Sequence, residues 1–487
     1  MSGTMRSRLT ALSRQSLIYG LGHILSRIIT FLLLPLYTNV FTPEEYGLIS
    51  LAYTFLGFMN VILHYGLDAA LMKYYVPAEA EERKTILTTA WGSFLVSSGA
   101  FAVISFLFRS PLSRVILGGD FPRYMGYVIG ILVLDVLWSV PMLIFRSEQK
   151  PIRFFAFSLF NVLASLGLNL LFVLRLGWGI EGVFASNLVT SATLFLLTFP
   201  ALLARMRWSG FSSATWKRLM RFGLPFLPSG IFAMIMELAD RYLLLYFTDT
   251  DTVGLYSAGY KLGMFMLLAV MGFNMGWQPF FLKEGDGDSQ RRLYTRITTY
   301  VLTLLGFLWV LLVVWVPDLV QLRLGSVTLY GPEYWTSVSI VPWVALGYWF
   351  HAAYLLQLPG VFLKEQSRYV PLFRGLGAGL NILLNLVMIP LWQGLGAAVA
   401  TCLSFFGMAL AIYLVNRKLY PLAYEWTRLL RVGGLMVMTA GGISVWGGTL
   451  PGEITLTLLF PVGLVLSGFL RKGEWQTLKK LLLPAQR

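Results

Sequence analysis

Six charged side chains lie inside long apolar stretches of the sequence, where a charge is costly. They are Arg27, Asp135, Glu237, Asp240, Arg241 and Lys261. A charge at the centre of a membrane-spanning helix costs ~2.5–3.5 kcal/mol on insertion scales, so such residues face a polar cavity, pair with one another or contact a ligand. We therefore treat these six as the candidate substrate-binding residues.

Four of these residues also have a structural interpretation. Glu237 and Arg241 are four residues apart, a spacing that favours an ion pair on one helix face. Arg27 and Asp135 lie at similar depths in two different apolar stretches, so an Arg27–Asp135 pair is the alternative to ligand binding for both. Lys261 has no evident partner on its own helix, which favours a role in a wet cavity.

Motifs of catalysis and metal binding are absent from the sequence. It contains no P-loop, no HExxH, no GxSxG and no paired set of Cys and His ligands. Asp249-Thr250-Asp251 has the form of an acidic metal–nucleotide-sugar motif, but a solvated turn between two spans explains it better. We therefore expect no enzymatic activity, no metal site and no cofactor.

The composition is that of a membrane protein. Hydrophobic residues make up 57% of the chain and charged residues 13%, whereas soluble chains carry about 25% charged residues. This predicts an all-α polytopic protein of the cell membrane. Because the net charge of +15 lies in loops between apolar stretches, we expect lipid and not nucleic acid as the partner of these charges.

Runs of about 20 apolar residues predict about fourteen transmembrane helices, as two six-helix bundles and a C-terminal helix pair. The predicted spans include 16–37, 253–277, 335–357, 369–390 and 395–416, and 109–123 is predicted to be an outer loop. The predicted segments are a cytoplasmic N-terminus (1–15), a first bundle (16–206), a basic cytoplasmic linker (207–221), a second bundle (222–416), and the helix pair with a basic tail (417–487). With the N-terminus inside, thirty of the 38 Lys and Arg residues fall in cytoplasmic segments and five in outer loops. This asymmetry predicts that both termini are cytoplasmic.

Three short matches indicate that the two bundles are repeats. Gly47 and Gly254 open similar helices after similar turns, 207 residues apart. The stretch at 145–150 matches 362–367, with Gln149 aligned to Gln366, and 179–186 matches 394–401. Parallel repeats of this kind place the substrate site between the two halves. Arg27 and Lys261 are then predicted on opposite walls of one cleft.

The stretch Ala239-Asp240-Arg241-Tyr242, the acidic turn after it and Val253-Gly254-Leu255-Tyr256-Ser257 resemble the polysaccharide transporter family of oligosaccharide flippases. Phe41-Thr42-Pro43-Glu44-Glu45-Tyr46-Gly47 resembles it as well. That family belongs to the superfamily that also holds multidrug extruders and lipid II flippases. The resemblance implies two bundles that rock about a central cavity and move a polyprenyl-diphosphate-linked oligosaccharide from the inner to the outer leaflet.

The deep cations agree with that substrate, because Arg and Lys can replace water around an anionic diphosphate. A cation-coupled drug or lipid exporter of the same superfamily is an alternative, and a membrane glycosyltransferase or polymerase is a further one. The coupling ion, Na⁺ or H⁺, stays open. We expect a monomer in the lipid bilayer, with a lipid-linked oligosaccharide as its partner.

Overall fold

The computed structural model describes residues 31–207, 210–325, 327–471 and 474. The helices of the first half are α1 (Leu34–Val40), α2 (Pro43–His64), α3 (Leu67–Tyr75), α4 (Ala80–Leu107), α5 (Arg109–Ile116), α6 (Pro122–Ser147), α7 (Pro151–Asn169, continued as a π-helix over Leu170–Arg175), α8 (Gly179–Leu203) and α9 (Ser213–Gly223). Those that follow are α10 (Leu227–Phe247), α11 (Thr250–Gly263), α12 (Phe265–Glu284), α13 (Asp288–Leu319), α14 (Val341–Leu356), α15 (Leu358–Leu363), α16 (Tyr369–Leu419), α17 (Trp426–Trp446) and α18 (Leu450–Leu466).

Within the described residues, eleven helical segments are long and apolar enough to cross a membrane by length and composition, and α18 is a shorter apolar helix. One of these segments, α16, contains two predicted spans. Its backbone leaves the helical conformation at Gln393, where φ is 49°, between the predicted spans 369–390 and 395–416. Most of the first predicted span, 16–37, lies outside the described residues.

Several predicted boundaries differ from the structure. Most of the helix α9 lies in the linker predicted at 207–221, and the helix α5 lies in the outer loop predicted at 109–123. The single span predicted at 253–277 is divided into α11 and α12, which meet at Met264. The span predicted at 335–357 begins with a 3₁₀-helix, Pro332–Ile340. In the first two cases a polar or basic segment forms a helix, and in the last two the apolar run is real but apolarity alone does not say where its helix breaks.

A small hairpin interrupts the helical fold of the described residues. Its strands are β1 (Arg323–Leu324) and β2 (Val327–Thr328), which pair antiparallel with Arg323 opposite Thr328. The chain turns at Gly325, whose φ of 69° favours glycine. The hairpin lies in a loop between α13 and the 3₁₀-helix at 332–340, and leaves the predicted all-α class unchanged.

The chain forms two compact units. One comprises Met1–Ala258, Tyr330–Tyr334 and Arg374–Ala400, and the other Gly259–Leu329, Trp335–Phe373 and Thr401–Arg487. In the first unit, Met142 and Phe145 of α6 pack with Phe154 of α7. In the second, the indole of Trp309 on α13 donates a 2.8 Å hydrogen bond to the carbonyl of Pro342 at the start of α14. The division into two six-helix bundles depends on the sequence repeat and stays a prediction.

One turn has the same backbone in both halves of the chain. Gln149 and Glu365 have φ angles of 54° and 55°, which are rare for residues other than glycine. In both turns the next residue donates its amide hydrogen to a carbonyl five positions before it. Lys150 donates to Phe145 and Gln366 donates to Val361, each at 2.8 Å. The structural offset is therefore 216, so the sequence alignment of Gln149 with Gln366 was wrong by one residue.

Candidate substrate site

The outer ends of α2 and α11 (the ends predicted to face outside) cross at two glycines. A Cβ on Gly47 would lie 2.0 Å from the carbonyl oxygen of Thr250, and a Cβ on Gly254 would lie 1.8 Å from that of Pro43. One turn further along, the hydroxyl of Ser50 donates a 2.5 Å hydrogen bond to that of Ser257. Only glycine permits this approach of two backbones, so the two helices are closed on each other at this end.

Aromatic residues surround this crossing. Tyr46, one residue before Gly47, packs edge-on against Tyr334 with ring centroids 5.9 Å apart. The Tyr334 hydroxyl donates to the carbonyl of Phe41 at 2.8 Å, and the Tyr330 hydroxyl donates to that of Ala258 at 2.6 Å. All of these rings are almost fully buried. We call the crossing and these rings the outer seal.

A buried ion pair lies next to the seal. Asp240 and Arg241 on α10 are 1% and 5% exposed, and Arg241 Nη1 lies 2.7 Å from Asp240 Oδ1. The other carboxylate oxygen of Asp240 accepts from the hydroxyl of Tyr256 on α11. Arg241 also donates to the backbone carbonyl of Glu237 at 2.7 Å. Since removing one partner of a buried pair is strongly destabilising, this cluster joins α10 to α11 as a structural unit.

Asp135 binds neutral donors in the described part of the chain. Its Oδ1 accepts from the Ser191 hydroxyl of α8 at 2.6 Å and from the Trp138 indole at 3.0 Å. One turn away on α6, Ser139 Oγ lies 2.9 Å from Nε2 of His64, at the inner end of α2. The other ring nitrogen of His64 bonds to the carbonyl of Asn60 at 2.7 Å. These contacts connect α2, α6 and α8.

A cavity of about 490 Å³ opens beside His64, at the end of α2 opposite the outer seal. The 22 residues of α2 span about 33 Å, so seal and cavity lie at the two faces of the first unit. The polar residues that line the cavity are Asn60, His64, Asp68, Ser139, Arg146 and Ser158. The apolar lining residues include Trp138, Met142, Leu143, Phe154, Phe226 and Leu227.

The cavity combines charged and polar side chains, among them Arg146 and Asp68, with an apolar wall. Arg146 is exposed and has five N–H donors suited to a phosphate, whereas both ring nitrogens of His64 are already in contact with Asn60 and Ser139. The aromatic and aliphatic side chains of α6, α7 and α10 form an apolar wall. A cavity of this volume with a few polar groups in an apolar lining is typical of a ligand site.

A carboxylate ties the helix ends together beside this cavity. Glu148 accepts two hydrogen bonds from Arg205, at 2.7 and 3.0 Å, one from the Tyr75 hydroxyl at 3.1 Å, and one from Lys150. Burial raises the pKa of Glu148, but the hydrogen bonds from Arg205 and Lys150 outweigh it and lower the pKa to about 2. The contacts hold the ends of α3, α6 and α8 together.

The second unit has a similar contact of its own. Asp286 accepts two hydrogen bonds from Arg291, at 3.0 and 3.1 Å, and one from Lys364 at 2.8 Å. These bonds lower the pKa of the Asp286 carboxyl below its ordinary value. The guanidinium of Arg291 lies 4.7 Å from the ring centroid of Tyr420. Each unit therefore has a carboxylate that joins loops predicted to be cytoplasmic.

The predicted site residues fall in different surroundings. Arg27 lies outside the described residues. Asp240 and Arg241 pair with each other, and Glu237 is half-buried on the same helix. Lys261 is half-buried on α11 and belongs to the second unit. That the six residues bind substrate stays a prediction.

Sequence reasoning missed the lining of the cavity. His64 and Arg146 stand at helix ends, where an isolated charge is typical of an inner loop, and only the packing of α2 on α6 brings them together. Asp249, from the acidic motif, accepts a 2.8 Å hydrogen bond from the amide of Thr252. It therefore caps the first turn of α11, as a turn residue is expected to do.

Sequence comparisons found similar proteins. A family model described as polysaccharide biosynthesis protein matches residues 12–284. The succinoglycan biosynthesis transport protein ExoT of Rhizobium meliloti is 25% identical over 364 residues, which are 72% of this chain and 66% of that protein. The match thus spans slightly less than two thirds of this relative's length.

Solved structures share the fold. The lipid II flippase MurJ, in an inward closed conformation, has a TM-score of 0.75 at 14% identity, covering 96% of this chain and 100% of its own. An inward-facing multidrug resistance transporter of the MATE family, in the MOP superfamily, has a TM-score of 0.63 at 12% identity, covering 87% and 96%. The predicted all-α polytopic membrane fold is confirmed.

Proposed function

Because this chain belongs to the polysaccharide biosynthesis protein family, as the sequence resemblance predicted, we propose that it is a flippase for a lipid-linked oligosaccharide. In this proposal a polyprenyl-diphosphate-linked glycan moves from the inner to the outer leaflet by alternating access of two bundles. The observation that carries it is the arrangement within the first unit. A polar cavity lies at one end of α2, and the outer seal closes the other end.

The cavity supplies a chemical role for each part of such a substrate. Arg146 binds the diphosphate, because a bidentate guanidinium can replace its hydration shell, while His64 helps to fix the cavity wall through Asn60 and Ser139. The apolar wall receives the first isoprene units, while Asn60, Ser139 and Ser158 bind sugar hydroxyls. Arg27 and Lys261 provide the deeper cations along the path, as the sequence predicts.

The outer seal determines from which side of the membrane the substrate reaches the cavity. With the glycine crossing closed, the bound headgroup cannot reach the outer face, and the cavity is loaded from the predicted cytoplasmic side. When α2 and α11 separate, water replaces the Ser50–Ser257 hydrogen bond and the close backbone contact. The path to the outer face then opens. Asp240, Arg241 and Tyr256 move as one piece, because their buried contacts are costly to break singly.

A reconstituted transport assay tests this function. The purified chain is placed in proteoliposomes with a fluorescent polyprenyl-diphosphate oligosaccharide, and the fraction quenched by external dithionite is measured under Na⁺ and H⁺ gradients. In empty liposomes about half is quenched, and the active protein raises this fraction. A fraction that stays at the level of empty liposomes under every gradient would refute the proposal.

One observation favours a second candidate, a cation-coupled exporter of drugs or other lipids. Asp135 is a carboxylate within a span that accepts from Ser191 and Trp138 and from no cation in the described residues, so it could take up H⁺ or Na⁺. The same proteoliposomes separate the two functions. Efflux of a cationic dye without movement of the glycan lipid would support the exporter and exclude the flippase.

A further inference from the structure

A second cavity, of about 550 Å³, lies in the first unit on the side predicted to be cytoplasmic. It is lined by Tyr74, Lys217, Arg218, Arg221 and Phe222, none of which lines the cavity beside His64. We propose that this basic cavity binds the phosphate headgroup of an anionic phospholipid of the cytoplasmic leaflet. The site is independent of the substrate that the chain transports.

An aromatic pair forms one wall of the basic cavity. The rings of Tyr74 on α3 and Phe222 on α9 meet edge to face, with centroids 5.8 Å apart. Nζ of Lys73 lies 3.8 Å from the centroid of Phe222, and the guanidinium of Arg218 lies 4.7 Å from that of Tyr74. Cation–π attraction therefore holds Lys73 and Arg218 beside the cavity.

The helix that carries the other cations is fixed in place. Ser212 caps α9 by accepting from the amide of Thr215 at 3.2 Å, and the indole of Trp216 donates to Ser93 on α4 at 3.0 Å. Gly223 packs so closely on Gly66 that a Cβ on Gly66 would lie 2.0 Å from the Gly223 carbonyl oxygen. A site built on a fixed helix loses little conformational entropy when a ligand binds.

The balance of charge favours an anionic ligand. Lys217, Arg218 and Arg221 are all exposed. Arg218 pairs with Glu82 at 2.8 Å, while Lys217 and Arg221 form no ion pair with any residue that the structure describes. This contrasts with Arg205, whose charge is matched by Glu148. The basic cavity thus keeps a net positive charge that a phosphate can satisfy.

The position of α9 favours a membrane phospholipid over the transported substrate. The helix directly precedes α10, through the 3₁₀-turn Leu224–Phe226, so it lies where a spanning helix enters the headgroup layer. It buries Leu219 and exposes Trp216 as well as its cations, as interfacial helices do. The cytoplasmic leaflet is rich in anionic lipid, and each cation near such a surface strengthens binding about fivefold.

Native mass spectrometry of the full chain tests the proposal. Detergent-purified protein is titrated with phosphatidylglycerol, phosphatidylcholine or undecaprenyl diphosphate at two ionic strengths. We expect phosphatidylglycerol to bind in preference to phosphatidylcholine, more weakly at the higher salt. The combined change Lys217→Gln, Arg218→Gln and Arg221→Gln should weaken it about tenfold or more. Arg221→Gln alone should weaken it about fivefold, which keeps the test valid if the triple variant does not fold.

A matched control variant changes three other exposed cations: Lys283→Gln, Arg292→Gln and Arg296→Gln. This variant should bind phosphatidylglycerol like the unchanged protein. Equal losses in both triple variants would mean that overall charge and not this cavity binds lipid, and would overturn the proposal. Loss of undecaprenyl diphosphate binding alone in the α9 variant would also overturn it, and would assign the cavity to the substrate.

Discussion

Gly47 has no room for a methyl group, because the Thr250 carbonyl lies against its Cα. We expect Gly47→Ala to prevent closure of the outer seal and to lower transport at least tenfold, while the protein still reaches the membrane in the open form. Transport in proteoliposomes and the level of folded protein are both measured. Gly126→Ala is the control, since a Cβ there meets nothing within 4 Å; equal transport by the two variants would contradict the role of the seal.

Arg27 and Asp135 can be distinguished as substrate ligand or structural pair by removing their charges. If Arg27 binds the diphosphate, Arg27→Ala should fold normally and lose transport, and Arg27→Lys should retain part of it because a point charge replaces the bidentate group. If Arg27 pairs with Asp135, its loss leaves a buried carboxylate at a cost of ~3–5 kcal/mol, and protein level falls. Recovery of transport in the Arg27→Ala, Asp135→Ala double variant would rule out the diphosphate role.

Helix ends on the predicted cytoplasmic side depend on ionised carboxylates. Since the pKa of Glu148 is lowered to about 2 in the folded chain, below the ordinary value of about 4.3, its contribution to stability is present at neutral pH. It is lost as the pH falls from about 5 towards 2. We expect Glu148→Gln to lower the melting temperature at pH 7 and to flatten its dependence on pH between 5 and 3.

The exposed Glu79 is the control for this experiment, because it forms no ion pair with the described residues. Glu79→Gln should leave the melting temperature at pH 7 and its pH profile close to those of the unchanged protein. A Glu148→Gln variant with the full pH dependence of the unchanged protein would show that other groups cause the acid sensitivity.

The crossing of α2 and α11 can be locked covalently. Ser50 and Ser257 are in hydrogen-bond contact, so cysteines at both positions, in a Cys402→Ala background, should form a disulfide on oxidation. We expect the oxidised double variant to lose transport and a reductant to restore it, whereas either single cysteine should be insensitive to oxidation. Full transport with the disulfide formed would mean that these helices do not part during the cycle.

Hydropathy predicted most of the helices, because a spanning segment must be apolar over about 20 residues. It missed α9, since a helix with a basic face such as that of Lys217 and Arg221 has the composition of a loop. It placed no break at Met264, where backbone geometry and not composition interrupts the apolar run, but it did separate the two spans that meet at Gln393. The lining of the cavity was beyond prediction, because His64 and Arg146 become neighbours only through the packing of α2 on α6.

The charge asymmetry of the whole chain predicts which loops face outside and which face the cytoplasm. In a Cys402→Ala background, single cysteines at the exposed positions Glu44 and Thr449 should react with an impermeant maleimide in intact cells. A cysteine at Arg417 should react only after permeabilisation. Labelling of Arg417→Cys from outside would reverse the predicted orientation of the second half of the chain.

The contact between α2 and α11 has a further property. Pro43 and Thr250, Gly47 and Gly254, and Ser50 and Ser257 are all separated by 207 positions. Gly47 meets Thr250 while Gly254 meets Pro43. The same pair of equivalent positions is therefore in contact twice, with the glycine supplied once by each repeat. This reciprocal pattern is the one that two identical subunits form about a two-fold axis. The crossing of α2 and α11 thus has the contact pattern of a homodimer interface held within one polypeptide, which is the pattern expected if the two predicted repeats arose by duplication and fusion of one gene.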